Sequence, residues 1–381
     1  MIVLLTNILN MTNFIGEKEI FDVKIKSTLE NMEVLKKLET ASRCIGEVNN
    51  IVSNVLEFDF IISALKNIEA LNSARIEGTT GNLKDLYLEE SLDFEKKKRL
   101  KLFSAVNYKL TMSELEDIVK EHMVVDLSLI RHLHKLLTEN DPSTQGTPGS
   151  FRNVEVKIQN SKLGDFYPVH PTKMQDFTSR LVAEIDSRSA FPSLLQAGIT
   201  HYQFESIHPF EDGNGRTGRL LIIAQLLIDK SLISAVLNLS QYFDAHREEY
   251  VAALRSVSDK ADFTDWILFF LEAIICQTVH NIDLIKKLRS LKEDNEMLIN
   301  ENTRSSAALH VLNHSLNELY ITITSAEAFL RKKKVKGDLR QMARNNILLL
   351  KKIGILDITT YKKGRSQAYV HKQLKDMLMR P

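Results

Sequence analysis

Residues 208–219 read His208-Pro209-Phe210-Glu211-Asp212-Gly213-Asn214-Gly215-Arg216-Thr217-Gly218-Arg219. An imidazole, two carboxylates, three glycines and two guanidinium groups therefore share one loop. Glycine admits positive φ and lets backbone N–H groups come close to a ligand. The loop runs into an apolar helical segment, and the unpaired N–H groups and dipole at a helix start attract anions. Arg216 and Arg219, spaced i, i+3 near that start, are expected to reach the same polyphosphate. Asp212 offers the hard oxygen that Mg²⁺ takes alongside substrate phosphates. His208 is the one group here whose ordinary pKa lies near neutrality, the natural general base for a hydroxyl. The combination points to phosphate-ester chemistry on a magnesium nucleotide. A bare Gly-Asn-Gly would be an ordinary turn, but these groups converge beside a buried helix.

Such a loop needs rigid flanks. SLLQAGITHYQFESI (193–207) reads as a helix leading in, and 217–233 is apolar on nearly every side, a helix buried at the centre of a bundle. Phe58, Ile61, Ile62, Leu65, Ile68 and Leu71 form an amphipathic stripe on another helix. Ser73 and Glu77 sit at i, i+4 toward its end, which Gly78 marks. Asp126-Leu127-Ser128 opens a helix over LIRHLHKLL (129–137), where His132 and His134 at i, i+2 point apart and argue against a shared metal. His201 and Trp266 are expected to pack. Residues 152–169 alternate apolar and polar around Asn160, Gly164 and Pro168, as a hairpin would. Residues 262–300 read as one or two long helices ending in a solvated, charged connector, KKLRSLKEDNE.

At 381 residues with 44% hydrophobic and 26% charged residues, the chain has material for two or three globular domains, which excludes disorder. Only Cys44 and Cys276 are present, so no disulfide framework or cysteine zinc site is available, and a reducing cytoplasm is the expected compartment. The opening MIVLLTNILNMTNF has no Lys or Arg before Lys18 and is interrupted by Thr6, Asn7 and Asn10, unlike a signal peptide. No stretch reads as a bilayer span; LLIIAQLLI is too short. No membrane partner is expected. The net charge of +1 hides an asymmetry: residues 301–381 carry 16 basic and 6 acidic side chains, which leaves the body acidic.

Residues 208–219 match the Fic family signature HxFx(D/E)GNGRxxR at every fixed position, and the resemblance extends over roughly 60–280. PGSFR (148–152) and the 153–169 hairpin resemble the family's PGxFR segment and target-docking flap. LNLSQYF (237–243) with Tyr250 resembles the border of its adenine pocket. The resemblance implies transfer of AMP from ATP to a Ser, Thr or Tyr hydroxyl of a protein, the chain itself included. His208 would be the base and Asp212 would hold Mg²⁺. Gly213, Asn214 and Gly215 would form an anion hole; Arg216 and Arg219 would hold the departing phosphates. Thr217, Gly218, Tyr242 and Tyr250 complete the implied nucleotide contacts. Gly215 stands where a phosphorylating branch resembling the toxin Doc carries Lys. NSARIEG (72–78) resembles the inhibitory motif (S/T)xxxE(G/N), with Ser73 and Glu77 braking the site through a bidentate Glu77–Arg219 pair. Two departures stand out. The flap has Gln159-Asn160 and one glycine in place of a Gly-Gly turn, and Glu249-Tyr250 replaces a tyrosine pair.

After residue 300 the order reads helix 305–318, strand 320–323, helices 325–331 and 337–353, then a basic hairpin, which resembles a winged helix. Arg340 and Arg344 would lie on its recognition helix, with Lys362, Lys363 and Arg365 at the wing tip, facing DNA or a protein. The expected fold is mainly α: a Fic-type helical bundle with a small β-hairpin flap and a C-terminal winged-helix domain. The expected divisions are 1–110, carrying the inhibitory helix, 111–300, the catalytic core, and 301–381. Family habit implies a homodimer. The competing readings are a nucleic-acid-binding regulator whose core senses nucleotide, and a Fic enzyme running AMP removal or phosphotransfer.

Overall fold

The computed structural model describes residues 20, 21, 23, 25–54, 59–89, 92–160, 162–188, 191–363 and 366–379. The signal-peptide question at residues 1–18 lies outside them. Short helix α1 (Ile25–Glu30) leads into α2 (Met32–Ser53), whose Asn31 cap accepts from the amides of Glu33 and Val34 and whose buried stripe is Val34, Ala41, Ile45, Val48 and Val52. Next come α3 (Asp59–Ile76), α4 (Leu83–Tyr87), α5 (Phe94–Arg99) and α6 (Leu102–His122). The anticipated boundary at 110 falls inside α6, which packs on α3 and on α7 (Leu127–Thr138). Asp126 caps α7 through the Leu129 amide, the start the sequence signals.

Helices α8 (Met174–Ser187), α9 (Ser193–Ile207) and α10 (Asn214–Ile228) follow. α10 is buried on all sides, but it stops five residues short of the expected end. Lys230 takes φ +58°, and the polar Asp229-Lys230-Ser231 run turns the chain there. α11 (Leu239–Ala245) and α12 (Arg247–Lys260) precede α13 (Thr264–Asn302), one unbroken helix. Against the sequence reading, part of α13 is long and apolar enough to cross a bilayer by length and composition. Its residues Trp266, Ile267, Phe270, Leu271 and Ile274 are buried in the protein core instead. The expected solvated connector also has a buried stripe, Leu288, Leu291 and Asn295, which continues to Ile299 beyond it.

The C-terminal unit is α14 (Ser306–Glu318), β1 (Tyr320–Thr322), α15 (Ile323–Lys332), α16 (Leu339–Lys352), β2 (Leu356–Lys363), β3 (Ser366–His371) and α17 (Lys372–Met379). The order is the expected one as far as the hairpin; α17 is an addition that the sequence reading did not name. Its antiparallel sheet runs β1-β3-β2, with Tyr320 opposite Val370 and Leu356 opposite His371. One apolar cluster continues from α2, α3 and α13 into this unit through Leu312, Ile321, Leu350 and Val370; a second joins α6, α7, α9 and α10. Among the described residues the protein is mainly helical with one small sheet.

The expected 152–169 hairpin is slighter than its alternation suggests. A single antiparallel bridge joins Ile158 and Phe166, each donating its amide to the other's carbonyl. The Arg255 guanidinium lies 5.6 Å from the Phe166 ring and sets the segment against α12.

Candidate functional site

His208 closes α9 in a left-handed conformation, φ 52° and ψ 61°, uncommon for any residue but glycine. What holds it there is Arg152, the last residue of PGSFR. This side chain is 5% exposed and donates Nε to the His208 carbonyl at 2.7 Å, with its other nitrogens on Val154, Val169 and Ile207 carbonyls. The imidazole Nδ1 lies 3.3 Å from the Glu205 carbonyl, a contact that places the ring proton on Nδ1 and leaves the Nε2 lone pair free. Burial, then the Arg152 charge, pushes His208 down to about 4, so the ring is neutral at pH 7.

The loop beyond it is braced from both sides. The Asn214 carboxamide accepts from the Phe210 amide and donates to the Phe210 carbonyl, both at 2.8 Å. Phe210 stacks on His134 with centroids 3.6 Å apart. The Gly149 amide donates to His134 Nδ1, so Nε2 carries the proton and donates to the Asp212 carbonyl at 2.9 Å. Gly213 turns the chain at φ +77°, and Thr217 donates its amide to Gly213 to begin α10. The amides of Asn214, Gly215 and Arg216 precede that first helical bond, an anion-binding helix start.

The two arginines part company rather than converge. Arg216 turns toward α7, with Nη1 3.4 Å from the Leu137 carbonyl and 3.6 Å from Asp141. Arg219, 2% exposed, turns toward α3: Nε donates to Ser73 Oγ and Nη2 to the Ser73 carbonyl, both at 2.9 Å. Nη2 also donates to Glu77 Oε1 at 2.8 Å. The Glu77 contact is thus a single oxygen rather than the expected bidentate fork: Ser73 takes Nε and shares Nη2 with Glu77. Burial acts to raise the Glu77 pKa, but Arg219 outweighs it and holds the carboxyl below its usual range. A Cβ on Gly215 would collide with Glu77 Oε1, so glycine there makes the approach of Glu77 possible.

His208, Glu77, Gly215, Arg219, Glu205 and Tyr250 line one cavity of about 220 Å³ with the bridge residues Ile158 and Phe166. Tyr250 is buried and its hydroxyl shares a 2.7 Å hydrogen bond with His201 Nε2. Tyr242 does not line this cavity; it stacks on His246 one turn away. Thr217 and Gly218 are turned inward, the hydroxyl of Thr217 on the Gly213 carbonyl and Gly218 against Phe204. Asp212 is half-exposed; Oδ1 accepts from Gly213 and Oδ2 from Gln145. No group of three or more metal-ligating side chains occurs among the described residues. One accessible carboxylate suits an ion that brings most of its ligands as phosphates and water, which Mg²⁺ does. On α16, Arg340 and Arg344 are exposed. The side chains of Lys362 and Lys363 and all of Arg365 lie outside the described residues.

Residues that sequence reasoning passed over are Arg152, His134 and Glu205. Arg152 stood in the quoted PGSFR segment, and His134 lies on the apolar face of α7 with Ile130, Leu133 and Leu137. Glu205 is a buried carboxyl of the cavity whose Oε1 has no hydrogen-bond partner; burial, with Glu77 adding to it, pushes it up to about 8.

These shifts give stability a pH optimum. Burial holds His134, His208 and His371 at about 4 and His201 at about 3, below the unfolded value near 6.5. Each favours the fold above pH 6.5 and loses that contribution as pH falls toward 4. Glu205, at about 8, and Glu69, which burial raises to about 7, act in the opposite sense: each favours the fold below the ordinary carboxyl value of 4.5 and loses that contribution as pH rises from there to its folded value. Four groups against two means the unfolding free energy rises between pH 5 and 6.5, on the order of 2 kcal/mol, then levels or falls. Urea titrations at half-unit pH steps check this; a stability that declines from pH 5 to 6.5 contradicts it.

Residues 124–226 match the Fic/DOC family and residues 35–114 its N-terminal region. A probable protein adenylyltransferase of Aquifex aeolicus is 26% identical over 166 residues, 42% of this chain and 47% of that protein. Protein adenylyltransferase fic-1 of Caenorhabditis briggsae is 31% identical over 105 residues, 27% of this chain and 19% of that protein. The matches therefore span less than half the length of these curated relatives. Among solved structures, a Fic family protein from Desulfovibrio desulfuricans superposes with TM-score 0.54 at 19% identity, covering 90% of this chain and 96% of that one. C. elegans Fic-1 superposes with TM-score 0.50 at 19% identity, covering 67% and 73%. At such identities the likeness is one of fold. With the signature at 208–219 set on that fold and the N-terminal region ahead of it, residues 35–226 carry the N-terminal region and the domain of the Fic/DOC family.

Proposed function

We propose that the protein transfers AMP from ATP to a protein hydroxyl, itself among the acceptors, and that Glu77 holds this activity down. The observation that carries the reading is one cavity in which His208 offers a free Nε2, the α10 start offers amide donors, and Glu77 occupies Arg219. Relatives named protein adenylyltransferase support the reaction class. His208 would accept the acceptor's proton on Nε2 while Glu205 keeps the Nδ1 proton in place. The hydroxyl oxygen would attack the α-phosphorus, and pyrophosphate would leave toward the arginines. Asp212 would hold Mg²⁺, which neutralises phosphate charge when bound. With Ser73 and Glu77 on Arg219, the γ-phosphate loses its anchor and the α-phosphorus is misaligned; phosphate-transfer chemistry depends steeply on such positioning.

Intact-mass spectrometry after incubation with Mg²⁺-ATP tests this on wild type, Glu77→Gly and Glu77→Gly/His208→Ala. One added AMP in Glu77→Gly, absent from the double variant, is the expected result. A phosphate-sized gain would move the chain to phosphotransfer, and no gain with any protein acceptor would overturn the reading.

A further inference from the structure

Helix α3 presents its braking residues on one side and a second seat on the other. At 100° per residue, Ser73 and Glu77 fall on the side facing α10, and Ile68, Leu71, Asn72 and Arg75 fall opposite. That outer side walls a cleft of about 1140 Å³, and across it stands the last helix, α17, with Met377 and Leu378. Leu378 packs on the apolar cluster of Leu71, Ala74, Leu83 and Leu86. α14 packs on α3, and α17 packs on α4 and α13. A buried 3.1 Å contact between Asn295 Nδ2 and His371 Nε2 ties α13 to the strand from which α17 starts.

We propose that the outer face of α3 is an interaction surface whose partner is the chain's own C-terminal unit, so that the seating of α17 keeps Glu77 on Arg219. This rests on the reading of Glu77 as a brake. Three hydrogen bonds to one guanidinium need the last two turns of α3 in a single position, since such bonds weaken within a few tenths of an ångström. Yet Glu77 lies beyond the last helical residue, Ile76, where a helix end frays. Support from the opposite side of those same turns supplies the missing restraint. The seat is also built to open. A close-packed interface leaves no voids larger than a water, whereas here an unfilled cleft separates the two walls and Leu378 bridges part of it. Leu374, in the first turn of α17, stays anchored in the main core, so it is the last turn, with Met377 and Leu378, that can leave, and whatever engages the C-terminal unit gains a route to the site.

The test places a charge in the seat of the full-length chain. Leu378→Asp is expected to raise AMP incorporation about tenfold over wild type, yet to change it less than about twofold on a Glu77→Gly background. Hydrogen exchange gives a readout independent of catalysis. The amides of Glu77, Gly78 and Thr79 donate to carbonyls of Ala74 and Arg75, so they are protected while the seat holds and should exchange faster in the variant. Unchanged exchange at 77–79 overturns the proposal. So does faster exchange with no gain in AMP where Glu77→Gly does gain it, or an equal gain on both backgrounds. If Glu77→Gly itself takes up no AMP, the brake reading fails and exchange alone decides whether the seat exists. Circular dichroism melts confirm folding, with Leu378→Ala as the milder variant.

Discussion

Glu77→Gly should raise self-modification with AMP by about 5- to 150-fold, the span that a coupling of about 1–3 kcal/mol produces. The substitution removes the one carboxylate that touches Arg219 and leaves the rest of the site intact. Ser73 still accepts from Arg219 Nε, but a hydroxyl and a carbonyl carry no charge to compete with a phosphate. Glycine also costs the fold little there, because position 77 lies in a turn after the helix and not within it. The brake should be insensitive to pH in the neutral range. Arg219 keeps Glu77 ionised below the usual carboxylate range, so the pair survives well into acid, and wild type should stay low from pH 5.5 to 8. Initial rates of AMP incorporation, wild type against variant, measure both claims. Equal rates in the two proteins would remove Glu77 from the control of this site.

Gly215 makes the same point from the other partner. A Cβ at 215 would occupy the space that Glu77 Oε1 takes, so the glycine at the proposed anion site is also what admits the proposed brake. One residue type serves both states. A substitution at 215 would therefore disturb inhibition and phosphate binding together, whereas Glu77→Gly separates them.

How far the sequence carried the site depends on range. His208 to Arg219 was legible because twelve adjacent residues hold most of the chemistry, and adjacency survives folding. The i, i+4 spacing of Ser73 and Glu77 put them on one helical face, but only the resemblance supplied a partner 142 residues further on. Arg152 was invisible as a staple, since nothing local says that a basic side chain will be buried on four carbonyls, two of them in the turn at 207–208. His134 was read as indifferent because i, i+2 spacing excludes a metal pair; its work comes from Gly149, Phe210 and Asp212, all distant in sequence. Helical phase separated Tyr250 from Tyr242, and a one-residue loop between α11 and α12 sets that phase. Arg216 and Arg219 illustrate a limit of spacing arguments: i, i+3 brought their backbones together while Asp141 and Ser73 drew their guanidinium groups apart. The mainly helical fold was legible from its stripes, and what was missed was continuity. α6 runs across the expected edge at 110 because its buried stripe continues through Met112, Leu115 and Ile118, and α13 stays one helix because its buried stripe runs on through the charged segment to Ile299.

His208→Ala on the Glu77→Gly background should lower the rate of AMP incorporation by a factor of about 10² to 10⁴, the usual contribution of a positioned base. The argument is that the substitution removes the imidazole and little else. The left-handed turn at 208 is held through its own carbonyl by Arg152 and through its amide by Phe204, contacts that alanine keeps. ATP affinity should therefore change less than about twofold, because the groups that would hold phosphate are the α10 amides and Arg219, none of which touches the ring. The pH profile adds a second check. Burial has already moved His208 down to about 4, so the ring is neutral and able to accept a proton from about pH 5 upward. A rate that falls as pH drops from 7 to 6 would mean the base titrates near its solution value and is not the buried ring seen at the end of α9. Retention of rate within tenfold of the Glu77→Gly parent would mean the acceptor's proton leaves by another route. Glu205, whose carboxyl lies 3.8 Å from His208 Nδ1 in the same cavity, would then be the group to substitute next.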